Sequence, residues 1–122
     1  MANTMSKIPL SGSTHGRGIK VTTAAPIDGS DTTIHTAVAN ATDTDYITLF
    51  AYNDSTTTCR LELGWGGTSD PDDLIIQDIP PRSGLTLVVA DLPLRNTLVV
   101  VASAEVANVL VIFGHVTRID VP

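Results

Sequence analysis

The stretch from Thr97 to Ile119 constrains this chain more than any other. It reads Leu98-Val99-Val100-Val101-Ala102, then Ser103-Ala104-Glu105-Val106-Ala107-Asn108, then Val109-Leu110-Val111-Ile112-Phe113-Gly114-His115-Val116. Two β-branched runs of strand length flank a six-residue connection, and both are apolar at odd and even positions alike. Valine and isoleucine crowd a helical turn and suit a pleated surface. The runs therefore read as strands, against the helix that Ala, Glu and Leu between Ser103 and Phe113 would otherwise permit. Strands that are apolar on both faces belong in the middle of a layered structure, covered above and below. The expectation is that the two pair with each other as the central hairpin of a β-sandwich. A membrane span does not fit. Glu105 stands near the centre of Thr97–Phe113 with Asn108 close by, and the stretch falls short of the roughly 20 apolar residues a bilayer requires.

The rest of the chain repeats the strand-and-turn pattern. Ile19–Thr23 is a first candidate strand, closed by Ala25-Pro26 and Asp28-Gly29. Thr33–Val38 follows, with Ile34, Thr36 and Val38 expected on one face. Asp45–Asn53 alternates Tyr46, Thr48, Phe50 and Tyr52 against Ile47, Leu49 and Ala51. In Thr58–Trp65, Cys59, Leu61, Leu63 and Trp65 point one way and the charged Arg60 and Glu62 the other. A period of two with one charged face describes an antiparallel strand half open to water or a partner. Gly66–Asp72 is a wide loop, Leu74–Ile79 a strand, and Pro80-Pro81-Arg82-Ser83-Gly84 a stiff turn. Leu85–Val89 is expected to turn Leu85, Leu87 and Val89 inward. The fold class is all-β: about eight antiparallel strands in a jelly-roll-like sandwich. A seven-stranded immunoglobulin-like sandwich is second choice, since its Cys…Trp…Cys framework is missing.

Residues 1–18 read as an extended N-terminal arm and residues 19–122 as the sandwich domain. The arm has one apolar cluster, Ile8-Pro9-Leu10, then a glycine-rich path from Ser11 to Gly18. With Lys20 just beyond it, its Lys7 and Arg17 make three of the seven basic residues in a chain of net charge −6. A positive arm on a negative body is suited to lying on a neighbouring copy. Lys7, Ile8, Leu10, Arg17, Lys20 and Trp65 are the expected contact residues. The acidic balance argues against nucleic acid, whose binding depends on cations that neutralise phosphate. Met1–Lys7 lacks the apolar core of a signal peptide, so synthesis and retention in a cytoplasm are expected. Cys59 is the single cysteine and has no partner for an intrachain bridge.

No motif for chemistry emerges. Ser13-Thr14-His15 sets hydroxyls beside an imidazole, but adjacent residues in a glycine-rich arm are not held in nucleophile–base geometry. Asp70-Pro71-Asp72-Asp73 lacks the alternating spacing of a calcium loop. Glu62 and Glu105 sit on separate elements, and His115 reads as a packed or interface ring. No catalytic residue, cofactor, metal or small-molecule substrate is expected. Trp65, beside Gly66-Gly67, could stack on a sugar as in lectin-like sandwiches, yet its register with Leu61 and Leu63 points it inward.

Leu61-Glu62-Leu63-Gly64-Trp65-Gly66-Gly67-Thr68, Ile79–Val88 and Ala102–Val109 together resemble the small structural proteins of tailed bacteriophage virions, β-sandwiches that decorate or cement the head or are built into fibres. The resemblance is one of texture, spanning roughly Ile19 to Ile119. It implies a virion structural protein on the capsid surface, a homotrimer bound to the major capsid protein that stabilises the head. A tail, baseplate or fibre subunit and a carbohydrate-binding module are the alternatives.

Overall fold

The computed structural model describes residues 2–122; Met1, the first residue of the arm, lies outside them. Nine strands and no helix make up the described chain: β1 Thr4–Pro9, β2 Ile19–Lys20, β3 Thr32–Thr36, β4 Thr44–Asn53, β5 Cys59–Trp65, β6 Leu74–Ile79, β7 Thr86–Leu94, β8 Val99–Ala104 and β9 Leu110–Asp120. They form two antiparallel sheets packed together. The five-stranded sheet runs β1-β9-β4-β7, with β2 pairing on β9, and the four-stranded sheet runs β3-β8-β5-β6. Among the described residues no helix is long and apolar enough to cross a membrane.

The core is aliphatic. From the five-stranded sheet Ile47, Leu49, Ala51, Leu110, Ile112 and Val116 point inward; from the other come Ile34, Leu61, Leu63, Ile79, Val100, Ala102 and Ala104. The two apolar runs of the sequence are the interior strands β8 and β9, one in each sheet. They are not a hairpin. The Glu105–Asn108 connection is an arch between the sheets, held by Glu105 N–H donating to Arg60 O and Asn108 N–H to Val21 O. A strand apolar on both faces needs cover on both, and the opposite sheet supplies the inner cover whichever strand is the lateral partner.

Bulges overturn three further expectations. In β3, Thr33 pairs with Val101 and His35 with Val100, leaving one extra residue. Ile34 and His35 are consequently both buried, and Thr36 is exposed. In β7, Ile47 pairs with Leu92, Leu49 with Val89 and Phe50 with Leu87, so β7 carries two extra residues. Val88 and Val89 both pack on the core, and Leu85 and Leu87 are left 55% and 52% exposed. Each extra residue reverses the inward–outward parity of the strand beyond it. Glu62 is buried as well: the 22–31 segment folds across this part of the four-stranded sheet, pairing Ala24 with Ala104 and bringing Ile27 N–H to the Glu62 carboxylate.

The arm belongs to its own chain. β1 pairs with β9 from Thr4↔Asp120 to Pro9↔His115, and Leu10 is a core residue, 2% exposed. Gly12 N–H then donates to Ile34 O, and the Ser11 hydroxyl accepts from Thr36 N–H. Arm and β3 thus close one long side of the sandwich. Near the β6 and β7 edges, buried Asn53 ties its turn together, donating to Thr57 O and Ile79 O and accepting from Ser55. Asn53→Ala strips four hydrogen bonds from buried or half-buried groups. A loss of about 2–3 kcal/mol is expected in urea unfolding.

Candidate interaction surface

In an antiparallel ladder, paired residues share a face. Ile47 and Val116 are paired and both fully buried, so the alternate positions of β4 and β9 look outward. They set Tyr46 beside Thr117, Thr48 beside His115, Phe50 beside Phe113 and Tyr52 beside Val111. Four of the five aromatic side chains, Tyr46, Phe50, Tyr52 and Phe113, therefore stand on the outer face of one sheet. Leu87 joins them through its pairing with Phe50, and Ile119 through Thr44. No Asp or Glu occupies an outward ladder position of β4 or β9.

The β1–β2 margin of this face is cationic, whereas elsewhere Asp54 accepts from the Tyr52 hydroxyl and Asp91 N–H donates to Thr48 Oγ1. Lys7 pairs with Thr117 and Lys20 with Val111, so both lysines of the chain stand on it. Arg17 and Lys20 line a polar hollow of about 340 Å³ with Gly12, Thr14, Gly18 and Ile19. Gly18 lies so close to Val111 and Phe113 that a Cβ there would strike both side chains, which places this end of the arm over the aromatic row. The other cations are spoken for. Arg60 pairs with Glu62 at 3.1 Å, Arg118 with Asp45 and Arg82 with Asp54, while Arg95 donates to Ala41 O and Thr44 Oγ1. Among the described residues Lys7, Arg17 and Lys20 make no ion pair.

Of the expected contact residues, the structure sets Arg17 and Lys20 about one hollow and Lys7 farther along the same edge of the sheet. It turns Ile8 and Leu10 toward the core of their own chain, Leu10 completely: Ile8 pairs with inward Val116, and Leu10, two residues on and just past β1, follows the same alternation. Trp65 is half-buried against the core, with its indole N–H donating to Pro93 O. An apolar groove of about 210 Å³ does adjoin the Gly66-Gly67-Thr68 loop, but its other walls are Thr97, Leu98, Val99 and Val101. Trp65, paired with fully buried Val100, faces away from it. Asp73 uses its carboxylate within its own loop, accepting from Ser69 N–H.

One polar constellation has no counterpart in the sequence pattern. Asp45 is fully buried; its Oδ1 accepts from Arg118 Nε at 2.6 Å, and its Oδ2 from Arg118 Nη2 at 2.9 Å and His35 Nε2 at 2.7 Å. Ser11 N–H donates to His35 Nδ1 at 3.0 Å. Nδ1 is thereby an acceptor, the proton sits on Nε2, and His35 donates to Asp45. Burial works to raise the Asp45 carboxyl, but the hydrogen bonds from Arg118 and His35, with the charge of Arg118, outweigh it and hold it below the usual carboxylate range. Asp45 in turn raises the Arg118 guanidinium. Ser11, His35 and Asp45 are neighbours, yet this is no nucleophile and base: Nδ1 is filled by a backbone N–H and the ring is 1% exposed. The group clasps the arm, β3, β4 and β9 at one end of the sandwich. Compared with protein-family models, curated proteins and solved structures, the chain matches none of them.

Proposed function

We propose that this chain is a virion structural protein, a decoration protein that seats the outer face of its five-stranded sheet on the exterior of a viral head. The observation that carries the reading is the concentration of four aromatics and both lysines on that face. Aromatic side chains bury large areas at interfaces and lose little conformational freedom there, and the cations along the β1–β2 margin favour an acidic partner surface on that side. Leaving aside two-residue β2, the strand order β1-β9-β4-β7 against β3-β8-β5-β6 supports a jelly-roll reading, an architecture that serves viral capsids and lectins. A net charge of −6 keeps such a subunit away from packaged DNA and favours the outside of the shell. Many copies on one particle act together, so a modest contact per copy suffices.

The test is co-sedimentation with empty heads of the virus that encodes the chain. Wild-type protein should pellet with heads, and Lys7→Glu/Lys20→Glu should bind at least about tenfold more weakly. Raising salt from 0.15 M to 1 M shortens the screening length from about 8 Å to about 3 Å and should weaken wild-type binding. Wild-type protein that stays in the supernatant, or a double variant that pellets as well as wild type, would overturn the reading.

A further inference from the structure

The sandwich has four edges, one of them shared by β1 and β2, and three of the four are guarded. β1 carries Lys7 and ends at Pro9. β3 is covered by the arm and by Thr23: Ile34 O accepts from Gly12 N–H, Thr36 N–H donates to Ser11 Oγ and Thr32 N–H to Thr23 Oγ1. β7 is bent by two bulges, holds Asp91 at φ 50° and contains Pro93. Lysine, proline, bulges and covering loops are the means by which sheet proteins keep edges from pairing.

β6 has none of them. Its sequence is Leu-Ile-Ile-Gln-Asp-Ile, and its register with β5 is unbroken from Cys59↔Ile79 to Gly64↔Leu74. Among the described residues, backbone groups of Ile75 to Asp78 make no hydrogen bond outside that ladder. Ile76 is 55% exposed, and Gln77 and Asp78 are exposed beside it. The arm does not reach this side, which β6 shares with β7.

We infer that β6 is a pairing edge whose occupant is β6 of a second copy, joined antiparallel about a two-fold axis near Ile76. The strand is self-complementary in that register. Ile76 meets Ile76 and Ile75 meets Gln77, while Asp78 falls opposite Leu74, so the strand's one charge never faces its own copy. Such pairing extends each four-stranded sheet into its neighbour through main-chain hydrogen bonds, with the exposed isoleucines buried against each other. An isologous contact makes a dimer, in place of the trimer implied by the resemblance. The contact stands apart from the aromatic face and does not depend on its role.

Native mass measured by light scattering at tens of micromolar tests the inference. Wild type is expected at twice the 12.8 kDa chain mass, with association strengthened by salt because each copy is net negative. Ile76→Lys adds the missing guard at an exposed position and is expected to be monomeric, with dissociation at least tenfold easier and an unchanged circular dichroism spectrum. Hydrogen exchange on wild type is the second readout, independent of any variant. Amides of Ile75–Asp78 should slow more than tenfold between dilute and concentrated samples. A wild type that stays monomeric, an Ile76→Lys dimer as tight as wild type, or concentration-independent exchange in β6 would each overturn the pairing. Lys7→Glu/Lys20→Glu should still dimerise, so failure of this contact and failure of head binding are read separately.

Discussion

Gly114→Ala is expected to abolish the native fold or cost about 4 kcal/mol or more, among the largest effects a single methyl can have. Gly114 lies in mid-β9 opposite Leu49 of β4. An alanine Cβ there would land on the Thr48 carbonyl oxygen and within 3.2 Å of the Leu49 Cα. Backbone atoms cannot swing aside as a flexible side chain can. β9 is moreover held between β1 and β4, so the strand cannot retreat without giving up ladder bonds. Gly16→Ala is the control. Gly16 has φ +90° but open space around its α-carbon, so only the local backbone penalty of about 1 kcal/mol applies. Urea unfolding of the two variants should separate them by several-fold. A Gly114→Ala protein within about 1 kcal/mol of wild type would contradict the tight β4–β9 approach.

The second large effect is expected at Asp45. Asp45→Asn leaves His35 and Arg118 facing a neutral side chain in a site with little access to water, and should cost about 3–5 kcal/mol at pH 7. The sign of the pH dependence comes from the direction of the carboxyl's shift. The folded carboxyl is held below its ordinary value of 3.8, so its stabilisation is fully present above about pH 4 and is lost as pH falls through the lower folded value. The gap between wild type and Asp45→Asn should therefore be constant near neutrality and close in acid. Asp43, lowered mainly by its hydrogen bond from Asn40 and by that from Val121 N–H, and Asp120 also face Arg118. They act alike in both proteins and cancel from the difference. A gap that persists unchanged at pH 2 would show that Asp45 matters for its shape and not for its charge.

How much of this is legible in the sequence varies with how local the cause is. Fold class, the bounds of β6, and the inward set Ile47, Leu49 and Ala51 come from period-two alternation and turn residues. The same alternation sorts Tyr46, Phe50 and Tyr52 onto the opposite face. What it cannot supply is their neighbour: that Phe113 and His115 stand beside them depends on β9 pairing with β4 across some sixty residues. The hairpin expected for β8 and β9 fails for a related reason, since apolarity on both faces demands cover without saying which strand provides it. Bulges defeat the alternation in β3 and β7, where one inserted residue in β3 moves His35 inward and the two in β7 leave Leu87 outside. The clasp escapes a reading by pattern because His35, Asp45 and Arg118 meet only once the arm and three strands are in place. The arm misleads because three glycines and a positive charge suggest reach, while the alternation of Ile8 and Leu10, which ties it to its own sheet, occupies only three residues.

The most direct test of the proposed role is an electron cryo-microscopy reconstruction of heads carrying the protein. The β4–β9 outer face, with Phe50, Tyr52, Phe113, Lys7 and Lys20, is expected to lie against the shell. A reconstruction with that face turned to solvent and the opposite sheet against the shell would contradict it.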